Sequence, residues 1–387
     1  MQSLHITLTD LRNESRLLKE VVSLTHSKTM EVVHIAGLYS DGLLHDEGYG
    51  PDIHAHRFPL FTRKFGKNLP MQFIKYVEFC FRVHAHYRNE AIRCINIHSL
   101  GLLPLGVMLK KLWNTRLIYD THELETETNG NAGLRKKLSK WLEHWLIKHV
   151  DMTIVVSESI ADWYAEAYNM TRPVVVLNAP PQRALQYRNH FREQLGIRQD
   201  QKILLYQGGL AHGRGVRLIL EAFKARTDDK VVAVFMGYGP LQKDIQAISR
   251  CQSNIFFYSA VAPEVVLEYT ASADIGIHLI QNTCLNHYYC MPNKLFEYAM
   301  AGIPILVSNM KEMATMVTQN AMGMVIEDFT PQAINHAIDE LLDQDLSVLR
   351  ANAYATARRH AWEVQEVTML QAYVDSGSGP TAPKRAA

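Results

Sequence analysis

The sequence predicts an α/β protein whose parallel sheets are covered by helices on both faces. Short apolar runs at residues 4–8, 94–97 and 153–156 are predicted strands, and segments with helical spacing separate them. The same alternation resumes at residues 203–206 and continues towards the C-terminus. Two such series in 387 residues indicate two doubly wound, Rossmann-like domains.

A proline-rich break defines the predicted domain boundary. Asn-Ala-Pro-Pro at residues 178–181 ends regular structure between the two series. We place the N-terminal domain at residues 1–182 and the C-terminal domain at residues 183–352. A helix at about residues 353–374 is expected to pack back on the N-terminal domain. The small, polar tail at residues 376–387 is expected to be disordered.

Composition excludes several classes of protein. A net charge of +1 gives no general attraction to nucleic acid. The five cysteines form no C-x-x-C or Cys/His ligand pattern, so neither a structural zinc site nor a disulfide framework is expected. The start of the sequence lacks the pattern of a secretory signal, and no window of about 18 apolar residues predicts a membrane-spanning helix. We expect a cytoplasmic protein with reduced thiols.

Two predicted helices of the N-terminal half have a recognisable buried face or N-cap. A helix at residues 71–88 is predicted to bury one face, made of Phe73, Tyr76, Val77, Cys80 and Phe81. Ser157 is predicted to be the N-cap of a helix at residues 159–168.

Lys294 and Glu297 are the most informative pair in the C-terminal half. Residues three apart share one face of a helix. A cation beside a carboxylate suits a ligand with both phosphates and sugar hydroxyls, and Asn293 precedes them directly. The alternative is an intrahelical ion pair, worth about 0.2–0.5 kcal/mol at a surface.

Two glycine-rich turns follow predicted strands in the same half. The first contains Gly208, Gly209 and Arg214, so it offers a phosphate close backbone approach, free N–H groups and a guanidinium. Gly237 and Gly239 form the second turn. The alternative for both is a tight turn that needs glycine for its dihedral angles. Because ligands collect at the carboxyl ends of parallel strands, these turns and the Lys-Glu helix predict a nucleoside-diphosphate site.

Polar residues also follow a predicted strand of the N-terminal half. Asp120, His122 and Glu123 stand where a ligand can be met, and a histidine can exchange a proton with a sugar hydroxyl near neutral pH. Arg12, after the first strand, is a further candidate for the acceptor side. The alternatives are a structural histidine and, for Arg12 and Arg16, a solvated helix start.

The helix at residues 134–149 is amphipathic and basic. Its apolar side consists of Leu134, Leu138, Trp141, Leu142 and Trp145, and cationic residues repeat every four positions on another side. Such a helix can lie on an anionic bilayer. A helix packed on the core, with a solvated basic face, is the alternative.

Taken in order, these segments resemble glycosyltransferase family 4, retaining enzymes of the GT-B fold, to about residue 375. The segments that carry the resemblance are residues 118–124, 156–160, 178–180, 206–216, 236–240, 273–275 and 291–304. The resemblance implies two facing domains with a cleft between them. It also implies a nucleotide-sugar donor held mainly by the C-terminal domain and an acceptor held by the N-terminal domain.

The resemblance also implies roles for single residues. Glu297 matches the glutamate that contacts the ribose, and Arg214 matches a basic residue on the donor diphosphate. His122 matches the histidine near the transferred sugar, which domain closure would bring to the donor. Lys294 belongs to the P-N-K-L-F-E-Y variant of the motif, and its chemistry favours a phosphate contact.

Two positions depart from the family pattern. Tyr289 stands where the family often has an acidic residue that contacts the donor sugar, and Gly209 stands where it often has arginine. The identity of the donor sugar is therefore open. Lys294 is the candidate to replace the missing cation.

The expected activity is retaining transfer of a hexose from a UDP- or GDP-linked sugar to a saccharide or lipid-linked saccharide. His122, Arg214 and Lys294 are the expected catalytic residues, with no metal ion or other cofactor. Synthesis of a cell-envelope polysaccharide or lipopolysaccharide is the expected process, at the inner face of the cytoplasmic membrane. A sugar-nucleotide epimerase and a non-catalytic GT-B scaffold of a transferase complex are the alternatives.

Overall fold

The computed structural model describes residues 1–12, 14–66 and 68–377 of the chain. The chain divides into two compact units. The first comprises Met1–Val176 together with the described part of the chain that begins at Glu366, and the second is Leu177–Gln365. Each unit contains a mainly parallel sheet with helices between its strands, which confirms the predicted α/β class with two parallel-sheet domains.

The first unit is built on eight strands within its described residues. The strands are β1 (Gln2–Ile6), β2 (Val32–Leu38), β3 (Asp46–Gly48), β4 (Ile53–Phe58), β5 (Ile92–Ile97), β6 (Arg116–Asp120), β7 (Met152–Val155) and β8 (Val174–Val175). Their order in the sheet is β3-β4-β2-β1-β5-β6-β7-β8, and only β3 and β4 pair antiparallel. The apolar pattern does not predict β3 and β4, because residues 46–58 are rich in glycine, histidine and charged side chains.

Five α-helices of the first unit connect these strands. They are α1 (Ser15–His26), α2 (Leu69–Tyr87), α3 (Leu103–Trp113), α4 (Gly133–Leu146) and α5 (Glu158–Tyr168). The predicted cap of α5 is confirmed, since Ser157 Oγ accepts a hydrogen bond from the Ile160 N–H at 3.3 Å.

The second unit contains a six-stranded, fully parallel sheet within the described chain. Its strands are β9 (Lys202–Gly209), β10 (Val231–Tyr238), β11 (Ile255–Ser259), β12 (Ile275–His278), β13 (Ile305–Ser308) and β14 (Gly323–Ile326). Their order is β11-β10-β9-β12-β13-β14. Alternate residues of the central strands enter two separate buried clusters, with Leu205 and Val234 in one and Leu204 and Ala233 in the other. Burial on both faces explains why these strands are almost continuously apolar.

The helices of the second unit lie before, between and after its strands. They are α6 (His190–Leu195), α7 (Val216–Ala225), α8 (Gln242–Ser249), α9 (Val266–Thr270), α10 (Leu285–Tyr288), α11 (Asn293–Met300), α12 (Lys311–Gln319), α13 (Pro331–Leu342) and α14 (Leu346–His360). A last helix, α15 (Trp362–Gly377), begins in the second unit and ends in the first.

The boundary between the units lies at Val176/Leu177 rather than at residue 182. The Leu177 N–H donates to Gln365 Oε1 at 2.9 Å, and the Gln182 N–H donates to Glu363 Oε2 at 3.0 Å. These bonds tie the segment after Val176 to the second unit.

The end of the chain differs in detail from the single helix expected at residues 353–374. The structure has two helices there, and the chain returns to the first unit within α15. In that unit Tyr373 Oη donates to Asn96 Oδ1 at 2.6 Å. Residues 376 and 377 complete α15. The rest of the expected tail lies outside the described residues.

The predicted buried face of α2 is wrong. Phe73, Val77 and Phe81 are exposed, and α2 buries Phe79, Val83 and Tyr87 instead. Both sets of residues have helical spacing, so periodicity alone does not say which of them meets the sheet.

The core-packed alternative for α4 is also wrong. The apolar side chains Leu134, Leu138, Trp141 and Trp145 are 56–83 % exposed. Within α4, all of which the structure describes, only Glu143 is buried. Its carboxylate accepts hydrogen bonds from Tyr119 Oη, Tyr164 Oη and Tyr168 Oη at 2.6–3.0 Å. Polar bonds therefore hold α4 to the unit while its apolar side faces outwards.

Among the described residues, no helix combines the length and apolar character needed to cross a bilayer.

Candidate functional site

The candidate site in the second unit lies where strands end and helices begin. β9 pairs with β10 so that Gly208 stands opposite Gly237, and it pairs with β12 so that Leu205 stands opposite Gly276. The candidate donor-site residues lie at the carboxyl ends of β9 and β10, just before α7, and at the start of α11. Open parallel sheets bind ligands at this kind of edge.

Lys294 lies directly against the backbone of Gly208. A Cβ atom built on Gly208 would stand 2.9 Å from Lys294 Nζ and 3.1 Å from its Cε, closer than real Cβ atoms normally come. Gly208 also has a φ of +106°, a backbone angle that residues other than glycine rarely adopt. Glycine at this position therefore makes the room that the lysine side chain occupies.

Lys294 is a buried cation without a hydrogen-bond partner among the described residues. Its side chain is 8 % exposed, and Nζ lies 5.1 Å from the centroid of the Tyr206 ring. Burial, reinforced by the nearby charge of Arg214 and opposed by that of Glu297, lowers the pKa of Lys294 to about 8. Because buried charges in proteins are normally paired, this ammonium indicates an anionic ligand.

Arg214 lies in the turn between β9 and α7. It is half-buried, and it makes no hydrogen bond or ion pair within the described chain. Its charge acts on both Lys294 and His278. The next residue, Gly215, is the N-cap of α7, so Arg214 comes directly before the free N–H groups of a ten-residue helix.

Glu297 shares the first turns of α11 with Lys294. Gln207 Nε2 donates to Glu297 Oε2 at 2.5 Å, and Thr270 Oγ1 donates to Gln207 Oε1 at 2.8 Å. The neighbouring Tyr298 is buried, and its hydroxyl accepts from the Gln207 N–H and donates to Leu205 O, both at 3.0 Å. These bonds fix the carboxylate relative to β9.

The other candidate donor-site residues divide into two kinds. Asn293 is exposed at the first position of α11, and Gly209 has open space where a Cβ would stand. A Cβ at Gly237 would come within 1.9 Å of Gly208 O, and one at Gly239 within 2.5 Å of Leu210 O. Close passage of β10 beside β9 is therefore sufficient to explain the glycines at 237 and 239.

His278, the last residue of β12, carries no sequence signal of a functional role. It is 2 % exposed, and neither ring nitrogen has a hydrogen-bond partner among the described residues. Burial lowers its pKa well below 6.5, and the charges of Lys294 and Arg214 add to that effect. A histidine inside an apolar strand gives no signal until its neighbours are known. We call Arg214, Lys294 and His278 the basic cluster.

In the first unit, Asp120 is committed to a buried ion pair. Arg16 of α1 donates to both of its oxygens, from Nε to Oδ2 at 3.0 Å and from Nη2 to Oδ1 at 2.9 Å. Burial acts to raise the pKa of Asp120, but the charge of Arg16, together with the contacts of His122 and His98, outweighs burial and holds that pKa well below its usual range. The expectation of a solvated Arg16 is wrong, because Arg16 is buried. Besides Asp120, its guanidinium pairs with Glu20, with Nε 2.9 Å from Oε1.

A chain of histidines leads inwards from His122. His122 Nε2 lies 3.2 Å from Asp120 Oδ2 and 3.2 Å from His98 Nδ1. His98 Nε2 lies 3.1 Å from His5 Nδ1. His122 is half-buried, whereas His98 and His5 are buried, and burial lowers the pKa of both. Of these three histidines, only His122 lines the open pocket described next.

That pocket has a volume of about 660 Å³, and its lining includes His122, Glu123, Glu125 and Arg135. Glu123 is exposed. Glu125, which the sequence analysis does not identify, accepts a hydrogen bond from the Leu100 N–H at 2.8 Å, and burial raises its pKa to about 8.

Arg12 is exposed and pairs with Asp10, its Nε lying 2.9 Å from Oδ2. It is therefore a surface residue of the first unit.

By distance alone, two groups of the first unit resemble metal ligands. They are His5, Glu20 and His98, and His98, Asp120 and His122. In the second group both oxygens of Asp120 already accept hydrogen bonds from Arg16.

Two family models match this chain. Glycosyl transferase 4-like domain matches residues 16–180, and Glycosyl transferases group 1 matches residues 188–360. D-inositol 3-phosphate glycosyltransferase of Corynebacterium urealyticum is 22 % identical over 339 residues, which cover 79 % of this chain and 76 % of that protein.

Solved structures share the fold. Sucrose-phosphate synthase from Thermosynechococcus elongatus has a TM-score of 0.81 at 14 % identity, with 98 % of this chain and 100 % of that chain covered. Anabaena HepE in complex with UDP-glucose has a TM-score of 0.72 at 14 % identity, with the same coverage of 98 % and 100 %. Fold and family matches together define a glycosyltransferase of the GT-B class. Within that class, the chain belongs to glycosyltransferase family 4.

Proposed function

We propose that this glycosyltransferase transfers a hexose, with retention of configuration, from a nucleoside diphosphate sugar to a saccharide or lipid-linked saccharide. The observation that carries the proposal is the buried ammonium of Lys294, which has no hydrogen-bond partner among the described residues. A diphosphate supplies the anionic hydrogen-bond partner that the Lys294 ammonium lacks. The solved Anabaena relative is a complex with UDP-glucose, which favours UDP as the first nucleotide to test.

Departure of the nucleoside diphosphate is the demanding step of such a reaction. Lys294, Arg214 and the N-terminus of α7 stabilise the negative charge that grows on the leaving phosphate, as preorganised charges do. Glu297, held by Gln207, accepts hydrogen bonds from the ribose hydroxyls. The proposed reaction needs no metal ion, because two side-chain cations and a helix dipole already act on the diphosphate.

The first unit holds the acceptor in this proposal, in the pocket beside His122. His122 exchanges a proton or hydrogen bond with a sugar hydroxyl, and Asp120 and His98 fix its ring. A cell-envelope polysaccharide or lipopolysaccharide precursor is the proposed class of acceptor.

Nucleotide binding is the first test. Thermal unfolding is followed with UDP, GDP, ADP and dTDP, and we expect one of them to raise the melting temperature of the native protein. No shift with any of the four contradicts the proposal.

Turnover is then measured with the corresponding nucleotide sugar, using a bacterial cell-envelope extract as the source of acceptor. Lys294→Ala and Arg214→Ala are each expected to lower turnover by roughly 10²–10³, the loss typical of one preorganised charge. Lys243→Ala, an exposed lysine of the same unit, is the matched control and is expected to keep native turnover. Turnover near the native value in both pocket variants refutes the phosphate assignment. Conversion of the nucleotide sugar into a different nucleotide sugar without acceptor identifies an epimerase.

We also propose that the first unit rests on an anionic bilayer through α4 and α2. The exposed side of α4 carries Trp141 and Trp145, and Arg135, Lys137 and Lys148 are exposed on the same helix or just after it. The exposed stripe of α2 adds further apolar surface. Apolar side chains beside cations are the pattern by which helices bind anionic membrane surfaces.

Liposome flotation tests this contact. The native chain is expected to float with vesicles containing anionic lipid and to float less with neutral vesicles. Trp141→Glu is expected to reduce flotation, whereas Val348→Glu, which adds the same charge at an exposed apolar position of the second unit, is not. Equal flotation with both lipids, or no effect of Trp141→Glu, removes the proposal.

A further inference from the structure

His278 combines burial with two unused hydrogen-bonding atoms. It is 2 % exposed at the end of β12, opposite Val307 of β13. Neither Nδ1 nor Nε2 has a hydrogen-bond partner within the described chain. A neutral imidazole has one donor and one acceptor, and a buried polar group normally has both satisfied. This ring therefore lacks the partners that its surroundings should provide.

The end of β12 is fixed against the turn that carries Arg214. A Cβ built on Gly215 would stand 2.3 Å from Leu279 O, so the residue after His278 packs directly on the N-cap of α7. Two residues further on, the Gln281 N–H donates to Gly213 O at 3.0 Å. His278 is thus tied on its C-terminal side to the turn between β9 and α7.

Tyr206 relates His278 to Lys294. The Tyr206 ring centroid lies 6.4 Å from the centroid of the His278 ring and 5.1 Å from Lys294 Nζ. Two members of the basic cluster, Lys294 and His278, therefore both lie near the Tyr206 ring at the sheet edge, and the charge of Arg214 acts on both of them. Both are buried there, with nitrogen atoms that have no hydrogen-bond partner in the described chain.

We propose that His278 is a third nitrogen contact of the phosphate pocket, donating one ring N–H to a phosphate oxygen of the bound nucleoside diphosphate. This inference rests on the proposed function and adds a residue that neither the sequence pattern nor the family assignment identifies. The imidazole binds by a directed hydrogen bond, whereas Arg214 and Lys294 supply the charge.

The ring is neutral in the empty pocket. Burial holds the pKa of His278 well below 6.5, and the two neighbouring cations reinforce this effect. A neutral donor adds a hydrogen bond to the anion without placing a third positive charge beside Arg214 and Lys294. This distinguishes the position from one that lysine or arginine can fill.

The test compares His278→Leu with His278→Gln. Leucine removes both nitrogen atoms, whereas glutamine keeps an N–H donor. We expect His278→Leu to weaken UDP binding by about 10–100-fold, the range for a hydrogen bond to a charged group. Uridine, which lacks phosphates, is expected to bind both proteins within about twofold, because the proposed bond is made to phosphate alone. His278→Gln is expected to recover most of the UDP affinity.

His336→Leu is the matched control, because His336 is an exposed histidine on α13 of the same unit. It is expected to bind UDP as the native chain does. Thermal melting of each variant without ligand shows that it is folded before binding is measured.

Inorganic pyrophosphate is the second probe, because it tests the anion pocket without the nucleoside. If His278→Leu binds UDP and pyrophosphate as tightly as the native chain, the inference is overturned and the proposed function stands. Equal losses for UDP and uridine indicate a structural role and also overturn it. If the native chain binds pyrophosphate but no nucleoside diphosphate, and His278→Leu weakens the pyrophosphate, the contact stands and the proposed function fails. Failure of the native chain to bind either probe overturns both.

Discussion

Lys294 occupies space that exists only because residue 208 is glycine. A Cβ at position 208 would lie 2.9 Å from the lysine Nζ, and the glycine has a φ of +106°. The residue type at position 208 of β9 therefore limits where the side chain of Lys294, on α11, can lie, although the two residues are far apart in the sequence.

Gly208→Ala is therefore expected to displace the Lys294 ammonium and weaken UDP binding by at least about 10-fold, since a hydrogen bond to a charged group contributes about 1.5–3 kcal/mol. An alanine held at this positive φ is also expected to destabilise the fold by about 1–2 kcal/mol. Isothermal titration calorimetry gives the affinity and urea denaturation gives the free energy of unfolding.

Gly209→Ala is the control for stability, because a Cβ there meets no atom within 4 Å. Its free energy of unfolding is expected to equal the native value. Native UDP affinity in Gly208→Ala contradicts the argument.

Lys294→Met is expected to stabilise the ligand-free protein at pH 7. Lys294 loses its proton near pH 8 when folded, against 10.5 for an ordinary lysine, so the unfolded chain binds more protons between these values. Stability of the native protein therefore rises with pH across that window, and below pH 8 the full penalty of burying the charge is present. At 1.36 kcal/mol per pKa unit, the variant should gain on the order of 3 kcal/mol at pH 7.

The stability gained by Lys294→Met should shrink as the pH rises towards 10.5. The variant lacks the ammonium that binds phosphate, so UDP should no longer raise its melting temperature. Thermal unfolding of both proteins at pH 7 and pH 9.5, with and without UDP, measures these effects. A variant less stable than the native protein at pH 7 refutes the account of Lys294 as an unsatisfied cation.

Nucleotide binding is expected to take up protons near pH 8. The empty pocket has a Lys294 pKa of about 8, and a bound diphosphate raises that pKa, because an opposite charge favours the protonated form. Up to about half a proton per site should be taken up at pH 8, where half of the lysines are initially neutral. Calorimetry in two buffers of different ionisation enthalpy gives the number. Release of protons, or no linkage at all, argues against a direct contact of Lys294 with the phosphates.

Asp120→Asn is expected to destabilise the first unit by about 3–5 kcal/mol, because it leaves the buried Arg16 guanidinium without its bidentate partner. Urea denaturation followed by tryptophan fluorescence reports mainly on this unit, which contains all the tryptophans except Trp362. Arg12→Ala breaks an exposed pair and is expected to leave the urea midpoint unchanged. A similar shift in both variants means that burial does not strengthen the Arg16–Asp120 pair.

Period and spacing predicted much of the second unit. Almost continuous apolar runs located β9 and β10, and the three-residue spacing of Lys294 and Glu297 placed both in the first turns of α11. These features are local, so a sequence displays them directly. The closeness of Lys294 to Gly208 depends on how α11 packs on β9, and the spacing of residues in the sequence does not predict that packing.

The errors arose where tertiary contacts select among equivalent local patterns. Arg16 looked like a solvated residue at a helix start, yet its partner Asp120 comes from a distant strand. The helix α2 has two stripes of apolar residues, and the stripe that contains Phe79 and Val83 is the one buried in the fold. His278 was missed for the same reason, because its significance depends on Lys294 and the turn before α7.

The unpartnered ammonium of Lys294 has a consequence for the level of this protein in a living cell. Ligand binding stabilises the folded state by an amount that rises with the logarithm of the ligand concentration, so the empty form is the one most exposed to unfolding and proteolysis. Under the proposed function, a shortage of the sugar nucleotide would shorten the lifetime of the polypeptide itself. The abundance of the transferase would then follow the supply of its own donor.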